Sequence, residues 1–323
     1  MIVQLWWKLI RDLRIPLLLT MVLLFLFQAL WVKITQRITT ELTPMFQTVA
    51  RLQNLPVTFF QEELLRGPGK VLQTILGGED TRLDNPQDLL IAGYLYPFVQ
   101  VILAIWAIGR AGGAIAGELD RGTMELLLSL PISRSKLILT HILVDLCVIP
   151  LLCLAIWAGS LTGCWLVGTF EIDPATWARL RMPPPENPVI YAVSAWKLFP
   201  ALANVAGLLL AISSITLAFS AFGRSRNRTL GLVILFFLIQ FLVNVIGQFW
   251  QDVAWLRPGT IFFFYQPQRI VSFGQWWIDL GSVWNSGQPM FSLPMVGVLI
   301  GVSIGAYTIA WLGFRNRDLP APL

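Results

Sequence analysis

Residues 117–134 form a charged and amphipathic segment between two long apolar runs. On a helix, Arg121 lies three residues after Glu118 and four residues before Glu125, so its guanidinium can pair with either carboxylate. No arrangement of nucleophile, base and acid for catalysis accompanies these charges. The pattern therefore predicts a short charged helix whose chemistry is ion pairing at a membrane surface.

A break is expected inside this segment. Gly122 weakens a helix by about 1 kcal/mol relative to alanine, and a glycine at this position indicates that another group approaches the backbone closely. Pro131 ends the helix, and Ser133 is a suitable N-cap for a second helix that begins at about Arg134. The segment is predicted to run as helix, break and helix.

A second candidate site lies in the apolar run that follows. His141 and Asp145 share one helical face at i,i+4 spacing. A charged Asp inside a membrane span is costly unless it is paired or hydrated. Three interpretations stay open: a structural pair with each other or with a neighbouring helix, a role in coupling, and proton handling.

A polar stripe marks a later apolar run. Gln240, Asn244 and Gln248 recur at four-residue spacing on one helical face. Side-chain amides of this kind form hydrogen bonds between helices inside membranes. The alternative is that they line a substrate path at the interface between two subunits.

The composition requires a membrane around these sites. Of 323 residues, 56% are hydrophobic and 13% are charged, and the mean hydropathy is +0.68, far too apolar for a soluble domain of this size. The net charge of +5 is not concentrated in a dense basic cluster, so nucleic acid is not an expected partner. An integral membrane protein is predicted.

Several kinds of site are not expected. The three cysteines fall in one apolar run, which argues against a disulfide framework and a metal site, and a single histidine excludes multi-histidine metal motifs. The chain contains neither a Walker A motif nor an ABC signature. It is therefore predicted to bind no cofactor and to hydrolyse no ATP by itself.

Six apolar runs are long enough to cross a bilayer as helices, which predicts an all-α polytopic membrane protein. The predicted spans are residues 15–34, 91–115, 137–167, 199–222, 230–249 and 294–314. The first is interpreted as a retained signal anchor, because bulky residues follow it where a cleavage site needs small ones.

The loops between the spans differ in length and charge. Residues 35–89 are polar and are predicted to form an external loop with short helices, and the aromatic-rich residues 251–293 are predicted to be re-entrant or to lie in the outer leaflet. The short loops are rich in Lys and Arg, whereas the long loops hold most of the acidic residues. The positive-inside rule places both termini and residues 117–134 in the cytoplasm.

Glycines continue the second predicted span. Gly109, Gly113 and Gly117 recur every four residues and form a face of small residues on which another helix can pack closely. Helix packing is the main interpretation, and a hinge that moves with the 117–134 segment is the alternative.

The 117–134 segment resembles a sequence pattern of one transporter family. The residues that match are Glu118, Arg121-Gly122-Thr123-Met124-Glu125-Leu126-Leu127 and Leu130-Pro131-Ile132-Ser133-Arg134. They closely resemble the permease subunits of type 2 ABC transporters, in which this pattern forms the cytoplasmic coupling helix between spans two and three. The chain departs from the family at Thr140-His141, where Gly-Lys is frequent.

The resemblance implies partners and residue roles. A separate ABC ATPase, which carries the ATP and magnesium, would dock on the coupling helix, and two permease chains would pair in a membrane such as the bacterial inner membrane. Glu118, Arg121 and Glu125 would make polar contacts with the ATPase. Apolar contacts would come from Met124, Leu127 and Leu128. The segment is completed by Gly122, Thr123, Pro131 and Arg134.

The implied activity is ATP-driven transport, most simply export. A secondary transporter driven by an ion gradient is an alternative, for which Asp145 would be the acidic group near the membrane interior. A membrane scaffold that holds partners on its outer loops is another. The substrate and the choice between homodimer and heterodimer stay open, with a weak preference for a lipid-like or amphipathic substrate.

Overall fold

Six apolar helical stretches dominate the computed structural model of the chain, and each is long enough to cross a membrane. The structure describes residues 2–52, 85–124, 129, 133–172, 174–179, 190–281 and 291–317. The six spans are Val3–Glu41, Pro86–Gly112, Arg134–Val167, Ala195–Phe222, Arg226–Phe249 and Met295–Arg315. The prediction of an all-α polytopic membrane protein with six spans is confirmed.

The first helix, α1, runs from Ile2 to Leu52 and is much longer than the predicted span. It continues through residues that the sequence assigned to the external loop. Polar pairs along the helix support this extension: Arg37 donates to Glu41 at 3.0 Å, and Lys33 donates to Gln36 at 2.7 Å. The predicted loop residues 53–84 lie outside the described residues.

The second span consists of two helices, α2 (Pro86–Leu95) and α3 (Pro97–Gly112). The break at Tyr96 has a local cause, because a proline lacks a backbone N–H and disfavours helical geometry in the residue before it. Tyr96 accordingly takes an extended ψ of 130°. The sequence analysis predicted one continuous span and did not take Pro97 into account.

Side chains satisfy the carbonyl groups that this break leaves free. Gln28 of α1 donates to the Gly93 carbonyl at 3.0 Å, and Tyr265 donates to the Tyr94 carbonyl at 2.7 Å. The Leu95 carbonyl accepts from Gln100 at 2.6 Å. Since hydrocarbon offers no water to replace these partners, they make the broken span possible.

The remaining elements follow in chain order. They are α4 (Ala116–Asp120), α5 (Arg134–Val167), β1 (Phe170–Glu171), α6 (Pro174–Arg179), β2 (Ile190–Tyr191), α7 (Ala201–Phe222), α8 (Arg226–Phe249), α9 (Pro267–Phe273), β3 (Trp277–Asp279), β4 (Ser292–Pro294) and α10 (Met295–Arg315). Short 3-10 helices cover Ala195–Leu198, Gln251–Gly259 and Ile261–Phe264. The strands form two small antiparallel pairs, β1 with β2 and β3 with β4.

Two glycines of α5 bring it close to α1. A Cβ atom added at Gly159 would lie 2.3 Å from the Phe25 carbonyl oxygen, and one at Gly163 would lie 2.7 Å from a methyl group of Val32. The small residues therefore allow the two helices to approach more closely than larger side chains would permit.

The glycine face predicted for packing, at positions 109, 113 and 117, has a different environment. An added Cβ at Gly109 would meet no atom of the described residues within 4 Å, and at Gly113 and Gly117 the side chain of Arg226 covers the face. Among the described residues, α8 reaches this face only through the side chain of its first residue, Arg226, so the predicted close packing of two helix backbones is not seen there.

One end of the helix bundle collects basic residues, and we call it the basic end. Here α1, α5 and α8 begin, and α3 and α10 end. The basic residues of these helix ends include Lys8, Arg110, Arg134, Arg226 and Arg315. A separate apolar cluster fills this end, built around Ala111, Ile115, Met124, Leu217 and Phe314.

Candidate functional site

The short helix α4 lies at the basic end, between the second and third spans. Arg121 pairs with Glu118 at 2.5 Å, as the three-residue spacing predicted. The Thr123 hydroxyl binds the other oxygen of the same carboxylate at 2.5 Å. The side chain of Arg121 remains 58% exposed, so its charge stays available to a partner.

Gly122 ends this helix by adopting a left-handed conformation, with φ of 69°. Its backbone N–H donates to the Leu119 carbonyl at 3.1 Å, as glycines after helix ends commonly do. No described atom would lie within 4 Å of an added Cβ. No described residue makes the predicted close approach, and the left-handed backbone conformation by itself explains the glycine.

Ser220 of α7 fixes the turn that connects α3 to α4. Its hydroxyl oxygen accepts hydrogen bonds from the backbone N–H groups of Ile115 and Ala116, at 3.1 and 3.0 Å, and donates to the Gly112 carbonyl at 3.0 Å. Ser220 is fully buried. Sequence reasoning gave this serine no role, since its partners lie more than a hundred residues away.

The other predicted contact residues of the segment divide into one that is buried and four that lie outside the described residues. Met124 is only 2% exposed and packs in the apolar cluster of the basic end. Its predicted role in direct apolar contact with a partner is therefore corrected: it anchors α4 to the bundle. Glu125, Leu127, Leu128 and Pro131 lie outside the described residues.

Arg134 and Arg317 tie helix ends together. Arg134 follows the Ser133 N-cap, which is confirmed by the Lys136 N–H bond to the serine hydroxyl at 3.4 Å. Its guanidinium donates to the Arg317 carbonyl. Arg317 in turn donates to the Ala221 carbonyl at 2.7 Å, and burial and then the charge of Arg224 lower the pKa of Arg317.

Asp145 is the centre of a buried polar cluster. One carboxylate oxygen forms an ion pair with Arg110 of α3, and the other accepts from the Tyr307 hydroxyl of α10 at 2.8 Å. The side chains of Arg110 and Asp145 are 4% and 3% exposed. Arg110 also donates to the His141 carbonyl at 2.8 Å. The carboxylate is thus paired with neighbouring helices rather than with the His141 side chain.

The polar stripe of α8 faces a segment of the same chain. Gln240 accepts from the Ile261 N–H at 3.1 Å, and Asn244 accepts from Arg257 at 3.4 Å. Gln248 is half-buried. Two of the three predicted polar residues therefore hold the 3-10 helices of residues 251–264 against α8.

A comparison with known protein families gives a match over nearly the whole chain. Residues 6–319 match the family model described as "ABC-2 family transporter protein". Searches of curated proteins and of solved structures gave no match. The family match includes all six spans and the turn that carries α4. The chain therefore belongs to the ABC-2 transporter family, whose members are the transmembrane permease components of ABC transporters and not their ATPases.

Proposed function

We propose that this chain is the permease subunit of an ABC exporter and that a separate ATPase docks on the 117–134 segment. The family match over residues 6–319 supports the permease part of this proposal. ATP and magnesium would reside in the partner, whose closure would push α4 and shift the spans attached to it. Transport would then follow from movement of the helices around α4.

The geometry of α4 supports its use as the docking element. Ser220 and Met124 hold it to the bundle, while the Arg121 side chain faces outward. A helix that is fixed on one side and charged on the other can pass a displacement to the spans. The buried Arg110–Asp145–Tyr307 cluster connects the same region to the third and sixth spans.

We further propose that the basic end faces the cytoplasm, with both chain termini there. The concentration of Lys and Arg at this end agrees with the positive-inside rule. An ATPase in the cytoplasm would then reach α4 directly. Residues 251–281 and 291–294 would lie toward the outer leaflet, on the opposite side of the membrane.

A second permease chain would complete the translocation path. Among the six candidate spans, the first and fifth have the smallest buried fraction, 22% each. On α8 the exposed side chains include Leu235, Leu238 and Leu242. These faces are open to lipid or to a second chain. Asp145, Gln240 and Asn244 would keep their contacts within the chain. Gln248 is the residue of the polar stripe that would line the path.

Co-purification from native membranes tests the docking proposal. We expect an ABC ATPase to co-purify with the wild-type chain and to be reduced about tenfold or more by Arg121→Glu, because a charge reversal at an interface adds repulsion. Arg37→Glu is the matched control, since Arg37 is also an exposed partner of a glutamate, Glu41. Equal recovery of the ATPase with both variants would contradict the proposal.

A charge swap separates docking from internal stability. In Glu118→Arg/Arg121→Glu the ion pair inside α4 is restored with opposite polarity. If α4 contacts the ATPase through these charges, the swapped variant stays defective. Recovery of the ATPase by the swap would mean that the pair only stabilises the helix.

A further inference from the structure

A cavity of about 320 Å³ lies at the basic end, next to α4. It is bounded by the first turns of α1, α5 and α8 and by the last turns of α3. Its volume falls within the range of small-molecule sites in proteins. The glycine face of α3 forms one wall, at Gly109 and Gly113.

Four cationic side chains line this cavity, and two of them are already paired. Arg110 binds Asp145, and Arg121 binds Glu118. The side chains of Lys8 and Arg226 form no ion pair or hydrogen bond within the described part of the chain. Two positive charges therefore remain for a ligand.

An acidic side chain limits the charge of that ligand. Asp12, one turn after Lys8 on α1, also lines the cavity and forms no ion pair with a described residue. Lys8, Arg226 and Asp12 together leave one net positive charge. This balance suits a phosphodiester with a single negative charge better than free inorganic phosphate, which carries more.

Apolar side chains complete the lining of the cavity. Leu5, Leu9 and Leu13 recur at four-residue spacing on α1, and Leu137 and Val144 of α5 also line the cavity. A ligand that fills the space must therefore present both an anionic group and hydrocarbon. A phospholipid with an anionic headgroup has this combination, and basic pockets between the ends of membrane helices recognise such headgroups.

We propose that this cavity binds an anionic phospholipid, with the headgroup phosphate between Lys8 and Arg226 and the upper acyl chains along the leucines of α1. The cavity shares Glu118 and Arg121 with the docking surface of α4, but these two residues are paired with each other, and the lipid contacts are assigned to Lys8 and Arg226. The proposal does not depend on transport or on an ATPase, so either proposal can fail without the other.

Native mass spectrometry of the full chain in detergent tests the site. Phosphatidylglycerol and phosphatidylcholine with identical acyl chains are titrated separately, and inorganic phosphate is added in a third arm. We expect phosphatidylglycerol to bind more tightly, and Lys8→Gln/Arg226→Gln to weaken it by roughly thirtyfold, from the usual contribution of two surface cations. Arg11→Gln/Arg228→Gln is the matched control, which removes the same charge from the same two helices outside the cavity.

A cavity-filling variant supplies a second test that removes no charge. At Gly109 no described atom lies within 4 Å of an added Cβ, and the residue lines the cavity. Gly109→Leu should therefore extend into the cavity, keep the thermal midpoint and lose phosphatidylglycerol binding. Gly109→Leu therefore tests the lipid site even if Lys8→Gln/Arg226→Gln fails to insert into the membrane.

Four results would overturn the proposal. They are equal binding of the two lipids, equal loss in the Arg11→Gln/Arg228→Gln control, undiminished binding in Gly109→Leu, and displacement of phosphatidylglycerol by equimolar inorganic phosphate. The last result would assign the site to a free phosphate.

Discussion

The carboxylate of Asp145 joins α5 to α3 through Arg110, and its second oxygen accepts from Tyr307 of α10 at 2.8 Å. A single acidic residue thereby connects the second, third and sixth spans. Side chains of two other helices engage both carboxylate oxygens. This arrangement is the structural pairing with a neighbouring helix, which was one of the three interpretations of Asp145 from the sequence.

Replacing Asp145 by asparagine should strongly destabilise the fold. The substitution leaves the Arg110 charge buried without a counter-ion, which costs about 3–5 kcal/mol. Tyr307→Phe removes only one hydrogen bond and should cost about 1 kcal/mol. Unfolding in detergent with increasing SDS compares the two. Equal effects would show that the ion pair adds nothing beyond a neutral hydrogen bond.

The double variant Arg110→Met/Asp145→Leu distinguishes stability from coupling. Apolar replacement of a buried ion pair is often neutral for stability, so the variant should recover most of the stability lost in Asp145→Asn. If the pair also transmits movement from α4, substrate would change the rate of ATP hydrolysis less in a transporter with this double variant than in the wild-type transporter.

Ser220→Ala should loosen α4 without damaging α7. The alanine leaves the N–H groups of Ile115 and Ala116 without their acceptor, at a cost of about 1–3 kcal/mol for buried unsatisfied groups. Hydrogen exchange at residues 113–120 should rise. Ser214→Ala is the control, because Ser214 is equally buried but bonds only to a carbonyl of its own helix. Exchange that rises equally in both variants would contradict the assigned role.

Two substitutions can distinguish the roles of the polar residues on α8. Gln240→Leu should release the 3-10 helices of residues 251–264 and make them sensitive to protease added from outside, since the Ile261 N–H loses its acceptor. Gln248→Leu should leave this segment protected. If Gln240→Leu changes only transport and leaves protection intact, path lining is the better explanation.

Apolar runs and local signals made much of the fold predictable. Long hydrophobic stretches predicted six spans, and Ser133 predicted the start of the third. The Glu118–Arg121 pair followed from spacing alone. These features depend on residues that are near one another in the chain.

The sequence alone did not predict contacts between residues that lie far apart in the chain. Three glycines at 109, 113 and 117 carried the expected packing pattern, yet Gly159 and Gly163 make the close approach to α1. A spacing of small residues does not reveal which face a second helix occupies. Ser220 presented the same difficulty, because any serine in an apolar helix can bond to its own backbone.

Burial also reassigned single residues. The family resemblance assigned Met124 to apolar contact with the ATPase, but the fold turns its side chain inward at 2% exposure. The break in the second span, by contrast, could have been predicted from the sequence. A proline restricts the residue directly before it, which here is Tyr96.

Site-specific photocrosslinking tests the central claim most directly. A photoreactive amino acid placed at the exposed Asp120 of α4 should capture an ABC ATPase in native membranes, whereas the same group at the exposed Glu41 of α1 should not. Capture from position 120 alone would support docking on α4. Capture of the ATPase from position 41 and not from position 120 would contradict it.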